Sequence, residues 1–389
     1  MPVHLLSNVR AVTPDGIVDD ATIASEDGRI LAVEEHRSYL GAIDGLGAFC
    51  LPGLVDSHCD AIEREVSPRP TAVFDLDFAL GSLESRFLSA GITTAFHGVS
   101  FADDTSRVRS LDMAATIVEA IDERRRVVPG LDHRILFRVA ARSAGSVEQA
   151  EAGLAGGSPD GSAPLVSVED HTPGQGQYRD IERYKASFPD ERRGRVGNLD
   201  AEIARRIEEA RASQPTRTAN LLRVRELAAT GQARVLAHDC VDAAEVAEAC
   251  GWGATVAEFP VTMEAARAAR ERGMPVVLGA PNVLLGGSHS GNVAAEEVIA
   301  AGLCTGLASD YLPPSMLAAA FDLAARKVLE LHHAVHLVTA GPAEATGLAD
   351  RGTLLPGSAA DLVLVTLDGR WPRVRSLLTL SRPRVEAVV

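Results

Sequence analysis

A histidine and an aspartate stand two residues apart at the end of a short apolar run, in the segment LPGLVDSHCD at residues 51–60. Side chains alternate between the two faces of a β-strand, so His58 and Asp60 would point the same way and Cys59 the opposite way. One imidazole nitrogen and one carboxylate oxygen on the same face suit a divalent metal ion. Alone the pair is a weak signal, because a His-x-Asp sequence also occurs in turns and hydrogen-bonded pairs.

Composition limits the class of protein that could carry such a site. The chain has 389 residues, of which 46% are hydrophobic, and five scattered cysteines without a Cys-x-x-Cys pair, which predicts reduced thiols. No apolar run is long enough to span a membrane, and the start lacks a secretory pattern, so we expect a cytoplasmic protein. The net charge of −15 argues against nucleic acid or an anionic membrane as a partner.

Apolar runs of five to eight residues alternate with helical patterns through the middle of the chain, which is typical of βα units. The helical patterns include residues 200–212 and 261–272. Eight strands favour a closed (β/α)8 TIM barrel, which needs about 250 residues and is predicted here over residues 51–349. The strands are predicted at residues 53–60, 91–98, 133–141, 165–171, 234–239, 255–260, 275–280 and 305–310.

The two ends of the chain differ from this middle part. Residues 1–50 and 350–389 contain short alternating strands broken by turns such as Thr13-Pro14-Asp15-Gly16 and by Pro356-Gly357. We therefore predict that both ends combine into one small β-sandwich.

The polar residues at the strand ends test the metal interpretation, because the chemistry of such barrels lies at the carboxyl ends of the strands. Many ionisable side chains fall there, more than packing requires, and they favour a metal-dependent hydrolase. Alternation makes Glu169 and His171 ligand candidates and leaves Asp170 to orient a histidine ring. The set is His58, Asp60, His97, Glu169, Asp170, His171, His238, Asp239, Glu258 and Asp310.

Two loops at the same end could hold a substrate. The loop after strand seven places glycines directly before a helix, and such exposed backbone amides favour bound anions. With arginines near the same mouth, a phosphorylated small-molecule substrate becomes the expected partner. The candidate substrate-binding residues are Arg69, Arg138, Gln175, Gln177, Tyr178, Asn282, Ser288, His289 and Asn292.

Longer motifs carry a family resemblance. The segments LPGLVDSH and HLVTAGPAEATGLADRGTLLPGSAADLVLV, with the aspartate that ends strand eight, resemble the amidohydrolase superfamily. Within it, SHCDAIEREVSPRP, EDHTPGQGQY and GAPNVLLGGSHSGNVAA resemble the PhnM-type diphosphatases of the carbon–phosphorus lyase pathway. This resemblance implies hydrolysis of alpha-D-ribose 1-methylphosphonate 5-triphosphate to the 5-monophosphate and pyrophosphate, in phosphonate catabolism.

The resemblance also implies a cofactor of two divalent ions, zinc or manganese, with Asp310 as both ligand and catalytic base. The implied ligands are His58, Asp60, His171, His238 and Asp310. One departure concerns the third strand, where the group usually has Arg-x-Glu and this chain has Arg138-Val139-Ala140. Glu169 stands where the group often has methionine, so we predict that Glu169 supplies the carboxylate that bridges the two ions. The alternative is a one-metal or altered-substrate paralogue.

Two other functions remain open at this point. A carbon–nitrogen amidohydrolase, such as a deaminase or a cyclic amidase, would use the same metal ligands on an uncharged ring. A non-catalytic metal-binding barrel would keep the ligands without turnover. The sequence determines neither the metal nor the oligomeric state, and a homo-oligomer is compatible with it.

Overall fold

The computed structural model describes residues 3–35, 39–69, 72–102, 110–127, 130–158, 160–187, 198–288 and 291–381. Within these ranges, eight parallel strands form a barrel surrounded by helices, and both ends of the chain form a separate six-stranded sheet. The predicted TIM barrel with a small β unit from the two ends is confirmed. The domain limits at residues 50 and 350 stay a prediction.

The barrel strands pair in chain order, each parallel to the next. Each of the eight lies where the sequence predicts one, although the fourth, sixth and eighth each end two residues earlier than predicted and the second ends three residues later. The barrel strands are β5 (Leu54–Cys59), β6 (Ile92–Phe101), β7 (Asp132–Ala140), β8 (Leu165–Glu169), β9 (Arg234–His238), β10 (Ala254–Glu258), β11 (Val276–Gly279) and β12 (Gly306–Ala308).

The ring closes between its first and last strands, at the site end. Asp60 N donates to Asp310 O at 2.5 Å, and Asp310 N donates to His58 O at 2.9 Å. The buried carboxylate of Asp56 strengthens this seam, because its Oδ1 accepts from Ser309 N at 2.9 Å. Closure of the barrel therefore places the end of the first strand directly beside the end of the eighth.

The terminal sheet joins both ends of the chain, since β13 pairs antiparallel with β4 and β1 lies parallel on the other side of β4. Aliphatic side chains of its own strands form a separate buried cluster, which includes Leu6, Val9, Ile23 and Leu362. Its strands are β1 (His4–Thr13), β2 (Gly16–Glu26), β3 (Arg29–Glu35), β4 (Ile43–Pro52), β13 (Asp361–Asp368) and β14 (Trp371–Thr379).

Several helices begin at side chains that cap their free backbone amides, among them those that start after Asp75, Asp242 and Thr262. In the described part of the chain, none has both the length and the apolar character needed to cross a bilayer. The helices span Ala61–Val66, Leu76–Ser89, Leu111–Val127, Ser146–Leu154, Ile181–Ser187, Leu199–Ala212, Gln214–Ala229, Ala243–Gly251, Met263–Glu271, Ala280–Leu285, Ala295–Ala300, Ser315–Ala325, Leu331–His336 and Ala340–Thr346.

An apolar layer fills the barrel interior and includes one side chain from each strand. On a strand, the residue two positions further on points to the same face. Polar side chains therefore follow the apolar layer at the site end of the barrel, as Arg138, His238 and Glu258 do. The layer contains Val55, Phe96, Leu136, Leu165, Leu236, Val256, Val277 and Ala308.

The same alternation turns His97 away from the barrel interior. Its Nε2 lies 2.9 Å from His133 Nδ1, and its ring packs edge-on against Phe87 of the surrounding helix layer. His97 thus belongs to a buried polar pair outside the barrel and not to the group of strand-end residues at its mouth.

Candidate active site

Glu258, at the end of β10, is the centre of the polar layer. It is fully buried and accepts hydrogen bonds from His58 Nδ1 and His238 Nδ1, each at 2.8 Å, and from Ser167 Oγ at 2.6 Å. A carboxylate on one ring nitrogen fixes the orientation of an imidazole and leaves its other nitrogen available to a metal. Glu258 therefore orients two histidines at once, and both direct Nε2 towards the cleft carboxylates.

The first group of metal ligands lies at the closing seam of the barrel. One ligand atom from each of His58, Asp60 and Asp310 lies within 4.8 Å of the other two, and His58 Nε2 is 3.2 Å from Asp60 Oδ1. An imidazole with two carboxylates is a donor set suited to zinc or manganese. The residues fit a divalent cation held where the first and eighth strands meet.

A second group joins the ends of β8 and β9. His171, His238 and Asp239 also bring three ligand atoms within 4.8 Å. Asp239 Oδ2 is buried, accepts no hydrogen bond from the described residues, and lies 3.4 Å from His238 Nε2 and 3.9 Å from His171 Nε2. A buried acceptor that faces two imidazole nitrogens fits a bound cation, because burial without a partner is costly.

Glu169 is held by Arg138. The guanidinium forms two hydrogen bonds with this carboxylate, through Nε to Oε1 and through Nη2 to Oε2, the latter at 3.0 Å. Arg138 Nη1 also lies 2.5 Å from Asp60 Oδ1, and all the groups are at least four-fifths buried. Among the described residues, Glu169 joins neither of the ligand groups above, so its predicted bridging role stays a prediction.

Charge coupling perturbs the titration of these side chains in the metal-free protein. Burial opposes protonation of His238, but the carboxylates of Asp239 and Glu169 and the contact with Glu258 raise its pKa to about 9. Burial raises the pKa of Asp239 to about 6 against the attraction of His238. Burial alone would raise the pKa of Glu258, yet His58 and His238 lower it below its ordinary value.

Backbone strain accompanies the strand ends. Asp239, Phe259 and Asp310 are not glycines, yet they have φ values of 58°, 52° and 57°. Such conformations cost about 1–3 kcal/mol each and persist where surrounding contacts impose them. Here they turn the chain sharply after β9, β10 and β12, where the ligand side chains must converge.

A cleft lies over the first ligand group, with a volume of about 780 Å³ that includes open solvent at its mouth. Five of the predicted substrate-binding residues line it: Arg138, Gln177, Asn282, Ser288 and Asn292. Asn282 already uses its amide, because Nδ2 donates to Val293 O and Oδ1 accepts from Ala295 N, at 3.1 and 3.0 Å. Its direct role is to hold the loop after β11 in place.

The other predicted substrate-binding residues lie elsewhere. Arg69 is exposed in a short backbone bridge with Ala72, and Gln175 lines a neighbouring cleft of about 580 Å³. The Tyr178 ring packs edge-on against His171, with centroids 6.0 Å apart. His289 lies outside the described residues.

Three residues that the geometry brings forward are not among the ligands or substrate-binding residues predicted from the sequence. Asp239 and Glu258 stand at strand ends, a visible signal, but their partners depend on how the barrel closes. Arg183 follows the loop after β8, and a Cβ built on Gly291 would lie 1.5 Å from its Nη1. The guanidinium thus rests on the loop after β11 at the cleft mouth.

Asp170, predicted to orient a histidine, instead accepts from Arg142 Nε at 2.7 Å.

Comparison with known proteins agrees with this architecture. The sequence profile of the amidohydrolase family matches residues 288–388. The chain is 37% identical to the alpha-D-ribose 1-methylphosphonate 5-triphosphate diphosphatase of Escherichia coli (strain K12) over 371 residues, covering 92% of this chain and 94% of that enzyme.

Two deaminases are also similar to this chain, one in a short stretch of sequence and the other in its fold. A stretch of 69 residues is 41% identical to an adenine deaminase of Oleidesulfovibrio alaskensis, covering 17% of this chain and 12% of that protein. The structure of 5-methylcytosine deaminase from Klebsiella pneumoniae superposes with a TM-score of 0.63 over 99% of both chains, at 15% identity. That level of identity shows a common fold. The match to the diphosphatase over nearly the full length of both chains, together with the family profile, establishes that this chain is a hydrolase and belongs to the amidohydrolase family.

Proposed function

We propose that the protein hydrolyses alpha-D-ribose 1-methylphosphonate 5-triphosphate, or a close ribosyl triphosphate, to the 5-monophosphate and pyrophosphate. The observation that carries this proposal is the match to the diphosphatase of Escherichia coli, which extends over nearly the whole of both chains. The cleft supports it, because candidate metal ligands line it together with the polar side chains of Ser288 and Asn292 from the loop after β11.

His58, Asp60 and Asp310 would hold one divalent ion, and His171, His238 and Asp239 would hold another. When bound, such ions lower the pKa of water and draw charge from a phosphoryl oxygen. The predicted bridge through Glu169 would join the two groups, and it remains to be tested.

Asp310 is proposed to accept the proton of the attacking water. Its backbone is fixed by hydrogen bonds to both His58 and Asp60 at the barrel seam. Burial and the nearby charge of Asp60 raise the pKa of Asp310, which makes it a stronger base than an exposed carboxylate. Water then adds to the phosphorus that is attached to the ribose oxygen. The bond from this phosphorus to the bridging oxygen breaks, and that oxygen leaves as part of pyrophosphate.

The substrate phosphates are proposed to lie beneath the loop after β11. Gly286 and Gly287 turn the chain there with positive φ values, and their amides donate to Val283 O and Asn282 O at 3.2 and 3.1 Å, so side chains rather than these amides would contact the phosphates. Gln177 and Asn292 line the same cleft. Arg183, which rests on Gly291, adds positive charge at the mouth of a strongly acidic protein.

The test is pyrophosphate release from the ribosyl triphosphate by metal-loaded protein. We expect turnover by the wild type and by Asp368→Asn, an exposed change in the terminal sheet. Asp310→Asn should lose about 100- to 10,000-fold in kcat, the usual contribution of a general base. Substantial turnover by Asp310→Asn would exclude this aspartate as the base.

The local similarity to an adenine deaminase supports a second candidate, hydrolysis of a carbon–nitrogen bond. It is tested in parallel by ammonia release from adenine and related amidines and by ring opening of cyclic amides. Ammonia or carboxylate release without pyrophosphate release would replace the proposed function with this one. Metal binding without turnover in either panel would favour a non-catalytic barrel.

A further inference from the structure

Arg138 joins the two halves of the site. Its guanidinium meets Asp60, a member of the first ligand group, on one side and Glu169, beside the second group, on the other. The Arg138 and Glu169 side chains are each only 6% exposed, so each charge depends on the other for compensation. This contact connects the first ligand group with the second, since Glu169 lies 3.9 Å from both His171 Nδ1 and His238 Nδ1.

Strand register explains why Glu169 meets an arginine. Ala140 of β7 is paired with Glu169 of β8, so residue 140 and residue 169 are direct neighbours on the same face of the sheet. Of this neighbouring pair only Glu169 carries a carboxylate. Arg138, two residues before Ala140 on the same face, can therefore reach over Ala140 and bind Glu169 with two hydrogen bonds.

The neighbouring strand also leaves room for this arrangement. A Cβ added to Gly98 of β6 would lie 2.5 Å from Asp60 Oδ1 and 2.9 Å from Arg138 Cδ. No side chain larger than hydrogen fits there without moving the Arg138–Asp60 pair. The contact thus depends on residues from three adjacent strands, β5, β6 and β7, in addition to Glu169 on β8.

We propose that Arg138 is a positioning residue that keeps Glu169 out of the metal coordination shell, so that any divalent ions bind the two ligand groups without a shared carboxylate. The inference replaces the predicted bridge through Glu169. It rests on the metal dependence proposed above but not on the identity of the substrate. Removing Arg138 alone should strengthen cation binding about tenfold or more, because a fixed positive charge leaves the neighbourhood of Asp60 and Glu169.

The decisive variant changes both partners, Arg138→Met with Glu169→Met. Replacing a buried ion pair by apolar side chains of similar size is often tolerated. Asp60 loses its contact with Arg138 in this variant, but it keeps His58 Nε2 at 3.2 Å and is one-fifth exposed. Apo protein is titrated with Mn²⁺ and Zn²⁺ against a competing chelator, and the Mn²⁺ form is studied by electron paramagnetic resonance. We expect the double variant to bind as many ions as the wild type, with affinities no weaker, and both proteins to give spectra without exchange coupling.

Arg134→Met is the matched control. Arg134 is a second buried arginine on β7, paired with Asp132 and Asp160 at the opposite end of the barrel. It should lower the melting temperature without changing metal affinity, which separates loss of a buried ion pair from loss of Arg138.

Two results would overturn the proposal: loss of an ion in the double variant, or an exchange-coupled manganese pair in the wild type that disappears when Glu169 is changed. Absence of metal binding by the wild type would instead remove the premise of metal dependence. If the wild type released pyrophosphate and its coupled manganese pair depended on Glu169, this inference would fail and the proposed function would stand.

Discussion

Replacing Glu258 by glutamine should weaken both proposed metal sites together. The carboxylate accepts three hydrogen bonds, two of them from histidines that belong to different ligand groups. Glutamine keeps one acceptor oxygen and turns an NH2 group towards another of these donors. Each hydrogen bond that involves a charged group contributes about 1.5–3 kcal/mol. We therefore expect Glu258→Gln to lower the unfolding free energy of the metal-free protein by about 2–5 kcal/mol.

The effect on metal binding follows from the same contacts. Loss of a residue that orients a ligating histidine typically lowers metal affinity about 10- to 100-fold. Because His58 belongs to one group and His238 to the other, Glu258→Gln should produce this loss at each ion. The assay is titration of apo protein with Zn²⁺ in the presence of a chromophoric chelator, together with urea unfolding of the chelated form.

Glu271→Gln provides the control, since Glu271 is exposed at the end of the helix that follows β10. It should leave both metal affinities unchanged. If Glu258→Gln lowered the affinity for one ion and left the other at its wild-type value, the role of a common orienting group would be refuted. Unchanged affinity for both ions would show that Glu258 does not orient the two histidines for metal binding.

Two further predictions concern proton and substrate binding. The pKa of His238 is raised from 6.5 to about 9, so its protonation stabilises the chelated protein fully below about pH 6.5 and this contribution disappears as the pH rises through 9. A cation that binds His238 must displace that proton. The difference in melting temperature between metal-loaded protein and protein freed of metal by a chelator should therefore widen from pH 7 to 9. A constant difference would contradict the placement of His238 as a metal ligand. Arg183→Gln should raise KM for the ribosyl triphosphate about three- to fivefold with little change in kcat, as expected for a largely exposed charge. Arg205→Gln, on the exposed face of the helix Leu199–Ala212, serves as its control, and equal KM values for the two variants would remove Arg183 from the substrate site.

Local patterns in the sequence predict the barrel well, because each strand is a short apolar run that ends in polar residues. The alternation of side chains also separates His238 and Glu258, which point inwards, from His97, which points into the helix layer. The residue type of His97 does not show this difference. Its outward direction follows from its place directly after Phe96, whose side chain lies in the interior layer.

The partners of the site residues are harder to predict, because they depend on register between strands that are distant in sequence. Glu258 contacts His58 across 200 residues, and nothing near either residue indicates this pairing. Arg138 was expected to bind substrate, yet the pairing of Ala140 with Glu169 directs it to a neighbouring carboxylate. Asn282 lines the cleft as expected, but its amide is used to hold the loop beside it.

The seam between the first and last barrel strands links completion of folding to activity. Asp310 pairs with His58 and Asp60, so the ligand set assembles only after about 250 intervening residues have formed the other strands. Contacts of such long sequence separation form late, because their loop-closure entropy must first be offset by the structure between them. A nascent or truncated chain that ends before β12 would therefore lack Asp310 and the seam that positions His58 and Asp60, and partly folded forms would be silent rather than weakly active.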